Sequence, residues 1–77
     1  STRQPSAAYA PELLLRLHQV LVVLGDIGAA RDCIEQAQAW IRRAAEHMPE
    51  AWRESFVGRN RVNAAVAAAW RAMNTAA

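Results

Sequence analysis

The feature that most restricts the fold is a Gly-Asp pair, Gly25 and Asp26, between two long stretches with helical apolar periodicity. Glycine readily adopts the left-handed conformation that ends a helix. Aspartate is a favoured N-cap because its carboxylate accepts backbone N–H groups of the helix that follows. The pair therefore predicts two helices joined by a two-residue turn, which is a tight helical hairpin.

The first helix of the hairpin is expected to run from about 11 to 24. Pro11 suits the first turn of a helix, and Glu12 favours its positive end. A stripe with a period of 3.6 is expected to face the core, and it consists of Leu13, Leu14, Leu17, Val20, Leu21 and Leu24. Three further apolar residues lie on the other sides of this helix, namely Leu15, Val22 and Val23. We expect these three to form an exposed patch that two copies of the chain cover in a twofold homodimer, or that Tyr9 covers in a monomer.

The second helix is expected to span 27–48. Its inward stripe alternates steps of three and four residues, through Ile27, Ala30, Ile34, Ala37, Ile41, Ala44 and Met48. Pro49 ends this helix, and residues 50–57 read as a short third helix that carries Trp52 and Phe56. Asn60 is expected to cap a fourth helix from 61 to 74, whose inward residues are Val62, Val66, Ala69 and Met73.

Residues 1–10 contain Pro5 and no helical stripe, so they are expected to form a flexible lead-in or linker. Residues 11–77 then form a single helical domain. The predicted fold class is all-α, an antiparallel helical hairpin followed by C-terminal capping helices.

Size and composition exclude several kinds of function. A chain of 77 residues has no room for a separate catalytic domain. No nucleophile stands with an oriented base, and Cys33 with His18 and His47 lacks zinc-type spacing, so we expect no catalytic residue, cofactor or metal site. The run of large apolar residues at 20–24 is far shorter than the roughly 20 residues of a membrane span.

The charge pattern leaves one alternative open. All nine basic residues are arginine, and against seven acidic residues they give a net charge of +2, which is too small to indicate a polyanionic partner. Arg59 and Arg61 nevertheless adjoin aromatic residues, and the alternative function is a small basic helical domain that contacts nucleic acid through them.

The single cysteine, Cys33, is expected in the core and indicates a reducing, cytoplasmic setting.

The segment "LLRLHQVLVVLGDIGAARDCIEQA" resembles a tetratricopeptide repeat. That repeat's pattern of W-x2-L-G-x2-Y followed by A-x3-F is matched by Leu14, Leu17, His18, Leu21, Ala30 and Ile34. His18 replaces the small residue at the point where the two helices of the repeat touch closely. The resemblance covers about a third of the chain and implies a hairpin that stacks on neighbouring hairpins in an α-solenoid.

The segment "RESFVGRNRVN", residues 53–63, has a second resemblance. It is similar to an "R-x-S-F-L-x-R-N-P-V-N-R" ending found at the C-terminal end of helical-repeat regions in large bacterial regulatory proteins with ATPase, cyclase, kinase or winged-helix parts. The matching residues are Arg53, Ser55, Phe56, Arg59, Asn60, Val62 and Asn63, whereas Arg61 replaces the proline and Ala64 a basic residue. The resemblance implies that Trp52, Phe56 and Trp70 close a solenoid. We expect these aromatic residues to pack back onto the second helix, so that Trp52→Ala lowers stability.

The predicted function is therefore a non-catalytic protein-protein interaction or scaffold module that binds a protein or peptide partner. The chain begins with Ser1 rather than Met, so we expect it to be a piece of a longer chain. The two resemblances imply that this piece is the C-terminal cap of the tetratricopeptide-like repeat region of a bacterial regulatory protein.

Overall fold

Four helices make up the part of the chain that the structure describes. A computed structural model describes residues 9–75, and its helices in chain order are α1 (Ala10–Leu24), α2 (Ile27–Glu46), α3 (Glu50–Gly58) and α4 (Arg61–Thr75). No strand occurs within residues 9–75, and the all-α class with its helical hairpin is confirmed. The helix ends differ from the predicted ones by at most two residues, the largest difference being the end of α2 at Glu46.

The hairpin turn has the geometry that its two residues favour. Gly25 has φ = 84°, and its N–H donates to the Val22 carbonyl at 3.1 Å. The N–H of Asp26 donates to the Leu21 carbonyl at 2.9 Å, which completes a Schellman motif. The Asp26 carboxylate then accepts the Ala29 N–H at 3.2 Å. Both predicted roles, helix stop and helix cap, are therefore confirmed.

The core lies where α1, α2 and α4 meet. Its fully buried residues are Ile34, Ala37, Ile41 and Val66, and the half-buried residues around them are Leu14, Leu15, Trp40, Phe56, Val62, Ala69, Trp70 and Met73. The helix α4 packs against both α1 and α2, which confirms its predicted inward face. Cys33 is also buried, as expected. Of the predicted α2 stripe, only Ile27 at the first turn is substantially exposed, at 47%.

The predicted orientation of helix α1 is wrong. Four of the residues expected to face the core are open to solvent: Leu13 is 56% exposed, Leu17 48%, Val20 53% and Leu24 72%. The side of α1 that faces inward carries Pro11, Leu14, Leu15 and His18, of which only Leu14 belonged to the predicted stripe. At 100° per residue these two sides lie roughly 130° apart around the helix. The reason is that α1 is apolar on nearly every side, so its periodicity alone does not select the face that α2 and α4 cover.

A buried hydrogen bond fixes this orientation of α1. His18 is only 6% exposed, and its Nδ1 lies 2.8 Å from the Ala30 carbonyl oxygen on α2. Since a carbonyl oxygen only accepts, Nδ1 carries the proton and donates it. Turning the outer residues of α1 inward would break this bond and leave a polar ring without its partner. The histidine that departs from the tetratricopeptide pattern thus anchors the two helices of the hairpin together.

The N-terminal segment meets the domain at Tyr9. Residues 1–8, most of the predicted lead-in, lie outside the described residues. Tyr9 packs edge-on against the ring of Trp40, with ring centroids 5.0 Å apart, and its hydroxyl donates to Asn63. The expectation that Tyr9 covers the patch of Leu15, Val22 and Val23 is therefore wrong, because the side chains that Tyr9 contacts lie on α2 and α4.

The predicted aromatic cap forms only in part. Phe56 and Trp70 pack against the core, and the Arg42 guanidinium lies over the Trp70 ring at 5.6 Å. Trp52 is 70% exposed, so the prediction that it packs back onto α2 is wrong. The cause is Arg53, whose Nε donates to the Ala45 carbonyl at 2.9 Å and whose Nη2 donates to the Met48 carbonyl at 3.0 Å. These bonds turn the Arg53 side of α3 toward α2 and direct Trp52 away from it.

Candidate interaction surface

Six of the nine large hydrophobic residues that are exposed in the described chain lie on α1. We define the outer face of α1 as Leu13, Leu17, Val20 and Leu24, with Val23 bordering it. Val23 is the most exposed of these, at 85%. The four residues of the face are spaced by four, three and four positions, which is the spacing of a helix that packs against another helix. Exposed apolar residues are ordinary when they occur singly, but a continuous row of them marks an interaction site.

The three residues predicted to form the patch are placed differently from one another. Leu15 packs against the buried core and is not part of any exposed patch, so this part of the prediction is corrected. Val22 is 41% exposed and lies toward the inner side of α1 near its end. Val23 is exposed as expected. Two of the three predicted patch residues are therefore exposed, and only Leu15 is misplaced, because the periodicity of α1 did not identify its buried side.

The outer face is also free of unbalanced charge. The charged residues of α1 are Glu12 and Arg16, which form an ion pair with each other at 3.1 Å. From Leu17 to Leu24 the helix contains no acidic residue, lysine or arginine, and its one histidine, His18, is buried. A partner for this face therefore needs apolar complementarity rather than an opposite charge.

The residues that resemble the repeat-region ending build the corner between α3 and α4. The Ser55 carbonyl accepts the N–H groups of Arg59 and Asn60, at 2.9 and 3.2 Å. Asn60 caps α4, because its side-chain oxygen accepts the Asn63 N–H at 3.0 Å. This confirms the predicted cap. Together with the two bonds from Arg53, these contacts show that the segment holds the chain in a fixed bend.

Asn63 is the centre of that corner. It is 1% exposed, its Nδ2 donates to the Phe56 carbonyl at 2.8 Å, and its Oδ1 accepts the Tyr9 hydroxyl at 2.7 Å. Its side chain thereby joins the residue before α1 to the C-terminal turn of α3. Sequence reasoning matched Asn63 to the motif but missed this role. The available signal was an amide at a helical position next to Val62 and one turn before Val66, both of which face inward.

The two arginines of the alternative function lie beside a groove along α3. Arg59 lines this open groove of about 600 Å³ together with Met48, Trp52 and Phe56. Arg61 is exposed at the first turn of α4. Within residues 9–75 neither arginine forms an ion pair. The structure thus leaves both guanidinium groups accessible, but only Arg59 lies against the aromatic residues.

Two further titratable residues of the described chain, Tyr9 and His47, have hydrogen-bond partners. Burial raises the pKa of the Tyr9 phenol above its ordinary value of 10.0, and the hydrogen bond to Asn63 offsets part of that rise. His47 donates from Nδ1 to the Arg43 carbonyl at 2.8 Å at the end of α2. In residues 9–75 no three His, Cys, Asp or Glu side chains are grouped closely enough to hold a metal ion.

No protein-family model, curated protein or solved structure matches this chain. The two resemblances described above therefore remain predictions. None of the helices in the described range combines the length and apolar character needed to cross a membrane.

Proposed function

We propose that this chain is a non-catalytic protein-protein interaction or scaffold module that works in the cytoplasm. Its position would be the C-terminal end of a tetratricopeptide-like repeat region in a bacterial regulatory protein. The observation that carries the proposal is the outer face of α1, a row of large apolar side chains with helix-packing spacing and exposures of 48–72%. Such a row is stabilised when another helix covers it.

The way the hairpin is covered supports its assignment as a terminal unit. Helical-repeat proteins stack hairpins so that each contacts only its neighbours, and the last unit carries a closing element instead of a further repeat. Here α4 packs across α1 and α2 on one side. The outer face of α1 lies away from the residues that contact α4 and has no cover within residues 9–75. One covered side and one open apolar side are the arrangement that an end unit requires.

The fixed bend after α2 supports the same assignment. A closing helix must be held at a constant angle, since no later repeat constrains it. The hydrogen bonds of Arg53, Asn60 and Asn63 supply that constraint through backbone carbonyls and amides. These are the residues by which the segment resembles the ending of bacterial repeat regions.

The alternative is nucleic-acid contact through Arg59 and Arg61, and the observation in its favour is that both side chains are exposed and free of ion pairs in the described chain. Two arginines provide few phosphate contacts, whereas nucleic-acid binding generally draws on many. The apolar face is the larger accessible feature, and we therefore place the interaction function first.

Site-specific photo-crosslinking tests the proposal. A photoreactive amino acid is introduced at Val23 or at Leu24 in the protein as it is expressed in its own cells, and the adducts are identified by mass spectrometry. Gln36, exposed on α2, is the control position. We expect defined protein adducts from the α1 positions and none from Gln36. Absence of adducts at α1, or the same adducts from all three positions, would contradict an interaction site on this face.

A further inference from the structure

We propose that the partner of the outer face of α1 is the same face of a second copy of this chain, packed antiparallel about a twofold axis. This inference rests on the proposed interaction function and names the partner of that same site. Three properties of the face carry it: the spacing of its residues, its neutrality and its area.

The spacing indicates that the partner is a helix. Leu13, Leu17, Val20 and Leu24 are separated by four, three and four residues, which places them at successive core positions of a heptad. A helix that presents this row packs against another helix at a crossing angle of about 20° by knobs-into-holes contacts. The 15 residues of α1 extend over roughly 22 Å, long enough for all four side chains to take part.

The order of the spacing indicates that this helix is a second α1. Steps of four, three and four read the same in both directions, so an antiparallel copy with its axis between His18 and Gln19 brings every member of the row opposite another member. In this register Leu13 meets Leu24 of the other copy, and Leu17 meets Val20. A twofold interface requires this self-complementarity, in which residue i contacts j and j contacts i.

Charge does not oppose the pairing. A twofold axis brings identical surfaces together, so a net charge on the face would repel its own copy. The only charged pair on α1, Glu12 with Arg16, is internally balanced, and neither residue belongs to the row. Gln19, nearest the axis in sequence, is uncharged and lies on the Val23 side of the row, where it lines an open groove with Val20 and Val23.

The area is sufficient for a specific, weak dimer. The five side chains of the face and its border are 48–85% exposed, which corresponds to on the order of 500 Å² per chain. The two faces together expose roughly 1,000 Å², which is about the smallest buried area expected of a specific interface, whereas crystal-packing contacts bury less. We therefore expect dimerisation in the micromolar range rather than a permanent dimer.

Sedimentation equilibrium of the 77-residue chain over a wide range of concentrations tests the inference. The variant Leu17→Glu places a charge beside the twofold axis, and it is expected to raise the dimer dissociation constant about tenfold or more because no charged residue lies three or four positions from it on α1. Gln36→Glu adds the same charge to an exposed position on α2, and we expect it to dimerise like the unchanged chain. Circular dichroism establishes that both variants retain their helices.

Disulfide trapping tests the register. In a Cys33→Ala background, chains with Leu13→Cys are mixed with chains with Leu24→Cys under mild oxidation. The antiparallel register predicts disulfides between the two kinds of chain and few within either kind, since facing residues come within disulfide range and the others do not. A wild-type chain that stays monomeric at all concentrations, or a prevalence of Leu13→Cys homodimers, overturns the inference.

Sedimentation and photo-crosslinking together distinguish a failure of the self-pairing from a failure of the proposed function. A monomeric chain that gives photo-crosslinks from Val23 to a different, identified protein leaves the interaction module standing and removes the self-pairing. That outcome includes an upstream repeat helix of a longer parent protein as the partner. A monomeric chain without such crosslinks contradicts both.

Discussion

Tyr9 and Asn63 are 54 residues apart in the chain, and the Tyr9 hydroxyl donates a 2.7 Å hydrogen bond to the side-chain oxygen of Asn63. The bond joins the residue that precedes the first helix to the buried side of the last one. Because the same amide also donates to the Phe56 carbonyl, a single side chain holds three separate parts of the chain in register.

Replacement of Asn63 should weaken the fold more than replacement of its tyrosine partner. Asn63→Ala leaves the Phe56 carbonyl and the Tyr9 hydroxyl without their bonds, and we expect the free energy of unfolding to fall by about 1–3 kcal/mol. Tyr9→Phe keeps the ring on Trp40 and should cost about 0.5–1.5 kcal/mol. Urea denaturation measures both. Equal stability of wild type and Asn63→Ala would show that this network does not hold the corner.

The same tyrosine predicts a loss of stability at high pH. Its pKa is raised in the folded chain, mainly by burial, so folding favours the neutral phenol. The contribution is therefore fully present below the unfolded pKa of about 10 and is lost as the pH rises through the higher folded value. Tyr9 is the only tyrosine, so phenolate absorbance reports it directly. We expect the pH midpoint of phenolate formation to be higher in the folded chain than in urea. In Tyr9→Phe, the loss of stability at high pH that this phenol causes should be absent.

Ile34 is expected to be the most sensitive core position of α2. It is fully buried between α1 and α4, and Ile34→Ala should lower the free energy of unfolding by about 2–5 kcal/mol, because it removes buried methyl groups and leaves a cavity. Gln36→Ala, an exposed change on the same helix, should stay within about 0.5 kcal/mol. Similar values for the two variants would mean that the packing of α2 is misassigned.

The two aromatic residues of α3 should differ in how much stability is lost when each is replaced by alanine, as measured by urea denaturation. Trp52→Ala is expected to change stability by no more than about 0.5 kcal/mol, since the side chain is 70% exposed. Phe56→Ala should cost about 2 kcal/mol or more, because its ring packs against the core. The sequence alone predicted a loss for Trp52→Ala. A large loss there, with Phe56→Ala neutral, would restore that prediction and contradict the structure.

Binding to generic duplex DNA distinguishes the alternative function. With two free arginines as the main contacts, any binding should be weak, insensitive to sequence and steeply reduced by salt. The double variant Arg59→Gln/Arg61→Gln should make the binding constant less dependent on salt. We expect the slope of log binding constant against log salt concentration to become less steep by about 2 at most. Sequence-selective binding at physiological salt that this double variant abolishes would favour the nucleic-acid function over the interaction module.

The local features of the fold followed from the sequence. Gly25, Asp26 and Asn60 act on backbone groups within about four residues of themselves, so their helix-stop and capping roles depend on neighbouring residues only. The inward face of α4 was also predictable, because alanines and polar residues surround one row of larger apolar side chains. Where a helix has a single apolar side, its period identifies the buried face.

Tertiary contacts decided what local patterns left open. Helix α1 is apolar almost all round, and its buried side was selected by the bond from His18 to Ala30 and by the packing of α2 and α4. Trp52 and Phe56 lie one turn apart, and Arg53 determined which of them reaches the core. The Tyr9 and Asn63 bond spans most of the chain, beyond the reach of any periodicity. The outer face of α1 could be identified only from the tertiary structure, because an exposed surface depends on which side chains the folded chain leaves uncovered.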